Sequence, residues 1–115
     1  MLLLIFRIMV VLSNQVQVYD FKKFERIIKL ETVENSGGVA AVNSDKNQAI
    51  FACHSNAVGE IKVINFDRNN EIRVIHAQKS HVTALALNWQ GSLVATASLE
   101  GQVFRVFSTS DGKMI

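Results

Sequence analysis

A cysteine nucleophile needs a base within hydrogen-bond reach, so the thiol and imidazole at Cys53-His54 are the first pair to weigh. Adjacent side chains on an extended strand point to opposite faces, which puts that imidazole out of the thiol's reach. Cys53 ends the apolar run Ala49-Ile50-Phe51-Ala52-Cys53 and reads as a small buried hydrophobe. It is the single cysteine, so no internal disulfide forms, and a reducing compartment is expected. The histidines His54, His76 and His81 lack metal-ligand spacing, and no acidic cluster joins them. Ser36-Gly37-Gly38 is not followed by a helix opening on Lys-Ser/Thr, so it is no phosphate loop. The acidic residues are scattered through turns. No catalytic constellation emerges and no cofactor or metal is implied, so the expectation is a binding module and not an enzyme.

What remains for chemistry is a set of hydroxyls and cations. Ser80 and Ser98 stand next to turns, and Arg105 interrupts the apolar stretch Val103-Phe104-Arg105-Val106-Phe107. Their types and spacing alone assign them no ligand. The plainer readings are a turn-forming serine and an arginine that faces solvent or pairs with a turn. Lys22-Lys23 with Arg26 forms a small basic patch whose default reading is solvated charge. Trp89 lies in a turn, either as an exposed anchor or as a ring laid over a strand edge. Net charge is only +2, which gives no argument for nucleic acid.

The elements that must position these residues are strands. With 115 residues, 49% hydrophobic and 19% charged, the chain can build a core. Strand-like runs cover residues 4–12, 15–21, 25–31, 39–43, 48–54, 60–66, 71–77, 82–88, 92–98 and 102–107. Turn residues separate them, among them Asp67-Arg68-Asn69-Asn70, Gln90-Gly91, Glu100-Gly101 and Ser110-Asp111-Gly112. Proline is absent, and no segment sustains a helical period. The apolar start, MLLLIFRIMVVL, is split by Arg7 and has neither a basic lead nor a cleavage site, so it reads as a buried strand, with a signal peptide as the alternative.

The runs repeat in order. Val39 falls on Val82, Gly59 on Gly101, and Val16 on Ile61. A period of ~40–45 residues with four strands each is the mark of WD-type propeller blades. The expected fold is all-β, a WD-type β-propeller fragment of about two and a half four-stranded blades. Residues 1–35 read as the end of one blade, 36–78 as a complete blade and 79–115 as most of a third. Short runs such as Ala84-Leu85-Ala86-Leu87 look buried on both faces. A ring needs at least ~4 blades, so further blades or chains are needed to close it.

The run Ile75 to Ser80, then Ala84-Leu85-Ala86-Leu87-Asn88, Gln90 to Ser98, and Phe104-Arg105-Val106-Phe107 resembles the PROPPIN, or WIPI-type, propellers. The earlier Val10-Val11-Leu12 and Val18-Tyr19-Asp20-Phe21 resemble a second stretch of that family. The resemblance implies a non-catalytic scaffold of autophagy that binds phosphatidylinositol 3-phosphate or the 3,5-bisphosphate. It implies a phosphoinositide-bearing membrane surface and autophagy proteins as partners. It also implies a cytoplasmic location, peripheral to pre-autophagosomal, endosomal or vacuolar membranes. On matching positions, Ser80, Ser98 and Arg105 are the candidate lipid-phosphate ligands. The family's histidine is Gln78 here, its threonine is Gln102, and its Glu-Lys pair is Leu99-Glu100. Its Arg-Arg-Gly motif would fall after Ile115. The alternative is a WD-repeat protein-interaction module without lipid binding.

Overall fold

The computed structural model describes residues 2–4, 7–35, 37–43, 45, 49–98 and 103–115, with the backbone alone for 2–4. Among these described residues, eleven strands form three antiparallel sheets. The first joins β1 (Leu2–Leu4), β2 (Arg7–Val11), β3 (Gln15–Asp20) and β4 (Arg26–Glu31) in chain order. The second joins β5 (Ala40–Val42), β6 (Ile50–His54), β7 (Glu60–Asn65) and β8 (Glu71–His76), again in chain order. The third holds β9 (Ala84–Leu87), β10 (Leu93–Ser98) and β11 (Val103–Ser108). Each sheet is a meander, the local topology that short polar turns allow.

The run read as one strand over residues 4–12 is two. β1 and β2 pair with Leu4 opposite Arg7. No glycine, proline, asparagine or aspartate marks this connection, so the apolar run reads as continuous in the sequence. Ile5 and Phe6 themselves lie outside the described residues, as do Ser36, Gln48 and Glu100-Gly101 of the expected turns and strand starts. In the third sheet, Phe107 bridges antiparallel to Met114 after a turn, with Ser108 N donating to Lys113 O and Ile115 N to Val106 O.

Two cores lie between the sheets, and β6 divides them. All five of its residues are buried. Ile50 and Ala52 face the third sheet, with Ile61, Val63, Ile75, Val82, Val94 and Phe107. Phe51 and Cys53 face the first sheet, with Met9, Val16, Val18, Ile64 and Phe66. A strand covered on both faces needs no alternation, which explains its apolar run from Ile50 to Cys53. β9 departs from that expectation. Leu85 and Leu87 pack on the core between the second and third sheets, but Ala84 and Ala86 are exposed. They belong with Ala95, Ala97 and Phe104 to the far face of the third sheet, an apolar surface with Phe104 81% exposed. Among the described residues no sheet covers that face.

The turns follow their chemistry. Asn69 and Asn70 take φ of 54° and 58°, a region that asparagine tolerates. Asp20 Oδ1 accepts from the backbone of Lys22 (2.8 Å) and Lys23 (3.1 Å), and those two donors hold its carboxyl below its ordinary pKa. The side chain of Asn35 both accepts from Val39 N (2.8 Å) and donates to Val39 O (3.0 Å), closing the Gly37-Gly38 turn.

Candidate functional site

The link from β8 to β9, residues 77–83, runs between the second and third sheets and carries one of the three candidate ligands. Its inner wall is the turn at Gly59. Ala77 N and Gln78 N both donate to Gly59 O, at 2.9 and 3.0 Å. Gly59 has φ +85°, and a Cβ there would overlap the carbonyl oxygen of Gln78. Only glycine permits this approach.

The outer wall is the face of the third sheet turned toward the second. Strand pairing sets Thr96 opposite Arg105, Ser98 opposite Val103, and Val94 opposite Phe107 on one side. Ser98 and Arg105 therefore share a face, and Ser80 meets it from the link. The Ser80 and Ser98 hydroxyls are hydrogen-bonded to each other. Arg105 is half-buried and points inward, Nη1 donating to Ala77 O at 3.1 Å. All three candidates thus converge on the rim between two sheets, each engaged with the link or a neighbour. Of the plainer readings of Arg105, the solvent-facing one does not hold: its guanidinium ties the third sheet to the link.

Gln78 is the residue that sequence reasoning undervalued. Its side chain is buried, and Nε2 donates to Thr96 Oγ1 (3.0 Å) and Val103 O (3.2 Å). Thr96 Oγ1 in turn donates to Arg105 O at 3.3 Å. Gln78 is a positioning residue that fastens the link to β10 and β11, with its donors directed inward. Thr96, the first of the two hydroxyls of Ala95-Thr96-Ala97-Ser98, was the available signal, because a hydroxyl on a buried strand face requires a partner. Leu99, Glu100 and Gln102, the other departures, lie outside the described residues.

The neighbouring polar groups are inert or separately paired. Burial pushes the Cys53 thiol up to about 12, Lys62 opposing weakly. His54 is fully buried and stacks on His81 with ring centroids 4.7 Å apart. Burial, then the charge of His81, draws its pKa down to about 4. His76 Nδ1 sits 2.9 Å from Glu60 Oε2. Among the described residues no three His, Cys, Asp or Glu side chains could hold a metal, and no helix is long and apolar enough to cross a membrane. Trp89 is 61% exposed, and its carbonyl accepts from Asp45 N.

Three meandering sheets stacked through their faces match a known set of proteins. The family model described as PROPPIN matches residues 2–115. The chain belongs to the PROPPIN family. It is 34% identical over 110 residues to autophagy-related protein 18e of Arabidopsis thaliana, covering 94% of this chain and 29% of that protein. It is 32% identical over 109 residues to autophagy-related protein 21 of Schizosaccharomyces pombe, covering 95% of this chain and 32% of that protein. The PROPPIN chain therefore spans about a third of the length of these relatives. The solved structure of Kluyveromyces lactis Hsv2 superposes with a TM-score of 0.80 at 23% identity, over 99% of this chain and 36% of that one. That likeness fixes the fold as a β-propeller fragment. A complex of KlAtg21 with the coiled coil of AgAtg16 superposes with a TM-score of 0.76 at 25% identity, over 99% of this chain and 39% of that one.

Proposed function

We propose that this PROPPIN chain supplies part of a non-catalytic scaffold in autophagy and carries residues of a phosphoinositide-recognition rim. The carrying observation is the convergence of Ser80, Ser98 and Arg105 on one edge between the second and third sheets. A phosphorylated inositol is the chemistry that such hydroxyls and a guanidinium recognise. Lys79, exposed beside Ser80, adds a cation to that rim. Residues 1–35 supply the end of one blade, 36–78 a complete blade and 79–115 most of a third, and the ligand is phosphatidylinositol 3-phosphate or the 3,5-bisphosphate. The site of action is the cytoplasmic surface of pre-autophagosomal, endosomal or vacuolar membranes.

Flotation with liposomes tests this. Binding is expected to vesicles containing phosphatidylinositol 3-phosphate over those with unphosphorylated phosphatidylinositol, to weaken with added salt, and to fall on Arg105→Ala or Ser98→Ala. Equal flotation with both vesicle types overturns the lipid reading.

A second reading is a protein-interaction module without lipid binding. It is supported by the inward use of Arg105 and by the relative solved with a coiled-coil partner. Capture of an autophagy protein with unchanged affinity in the absence of phosphoinositide would favour it.

A further inference from the structure

His54 is the one buried side chain among the described residues whose ring nitrogens both lack a hydrogen-bond partner. It ends β6 on the face that carries Ile50 and Ala52, so it looks toward the third sheet. There the ring of His81 lies over it, 4.7 Å away and 26° from parallel. His81 is exposed and opens onto a cavity lined by Val33, Glu34 and Val58. It directly follows Ser80, whose hydroxyl holds Ser98. A ring without hydrogen bonds, sealed under a second imidazole, is stable only while neutral, because a buried proton finds neither water nor an acceptor.

We propose that the His54–His81 stack is a pH-sensitive latch that holds the 77–83 link, and with it Ser80, against the third sheet. Protonation of His54 requires the ring to reach water. His81 is the ring stacked over it and is itself exposed, and lifting it carries Ser80, the residue before it, away from Ser98. The groups around His54 do not offset the charge. Cys53 and Lys62 are paired on the opposite face of β6 and β7, with the Lys62 ammonium bonded to Glu31 O and Asn56 Oδ1. Glu34 lines the cavity onto which the exposed His81 opens, and Lys79 adds a positive charge to the same link.

The sign follows from linkage. The closed state holds His54 at about 4, and a solvated ring would have its ordinary value of 6.5. The latch is unaffected above that value and opens progressively as pH falls from 6.5 to 4. Linkage gives a rise in the open population of roughly fourfold at pH 6 and roughly 30-fold at pH 5, relative to pH 7.5. The consequence for lipid rests on the phosphoinositide reading above; the latch itself does not.

Two measurements on the full chain separate these. Amide exchange of Ala77, Gln78 and Thr83, corrected for intrinsic rates, is expected to lose roughly 30-fold in protection between pH 7.5 and pH 5. His54→Phe, which keeps an aromatic ring without a titrating group, should abolish that loss. On the unmodified chain, the His54 ring resonance should titrate well below 6.5. Titration near 6.5, or link protection independent of pH, overturns the latch. Flotation with phosphatidylinositol 3-phosphate vesicles over the same range is the second arm. No lipid binding at any pH with an intact exchange response sinks the lipid reading and leaves the latch standing.

Discussion

Substitution of Gly59 by alanine tests whether the link is clamped as described. Alanine at φ +85° is strained by about 1–2 kcal/mol, the penalty of left-handed backbone for a residue with a Cβ. Its Cβ would overlap Gln78 O, and the neighbouring carbonyl carbon would lie 2.9 Å away. Backbone on both sides cannot yield as a side chain would, so the turn and the link must separate. That breaks the bonds from Ala77 N and Gln78 N to Gly59 O, each contributing about 0.5–1.5 kcal/mol. The total is about 2–5 kcal/mol, a large part of the stability of a domain of this size. Two other glycines serve as controls. A Cβ at Gly38, φ +65°, meets nothing within 4 Å, so Gly38→Ala isolates the strain, about 1–2 kcal/mol. At Gly37, which lacks a positive φ, the nearest atom is Val39 Cγ2 at 3.8 Å, so Gly37→Ala should be neutral or slightly stabilising. Urea denaturation of the three variants beside the parent gives the order. If Gly59→Ala is no worse than Gly38→Ala, the close approach of turn and link is wrong, and with it the placement of Ser80.

Other outcomes follow from burial. Cys53, with its pKa near 12, should resist a thiol-directed disulfide reagent at pH 8 in the folded state and react once unfolded; rapid native labelling would contradict its burial. Phe51→Ala should lower stability by about 3–5 kcal/mol by opening a cavity between the first and second sheets, whereas Phe104→Ala, 81% exposed, should change it by less than about 0.5 kcal/mol in a denaturant melt. Gln78→Ala leaves Thr96 and Val103 without their donor and should destabilise by about 1–3 kcal/mol, with Gln78→Asn, one carbon shorter, failing to restore it.

The sequence by itself determined the class of fold. Its short runs, the asparagine and glycine turns, and the recurrence of Val39 at Val82 are local and periodic, and local patterns survive translation into strands and meanders. It also determined family membership, since the ATAS and FRVF stretches carry the resemblance that the comparison over residues 2–115 bears out. The β1–β2 hairpin was not legible, because no turn residue marks it. The candidate ligands could be named but not arranged. That Ser80 touches Ser98, that Arg105 turns inward to Ala77, and that Gln78 binds Thr96 all depend on how the link packs between two sheets. These partners stand 18 to 28 residues apart in sequence, and no spacing rule joins them. The His54–His81 stack is of the same kind, its two rings brought together only when β6 and the β8–β9 link are packed. A period fixes which residues face inward; which inward-facing groups meet is decided by the packing of one sheet upon the next.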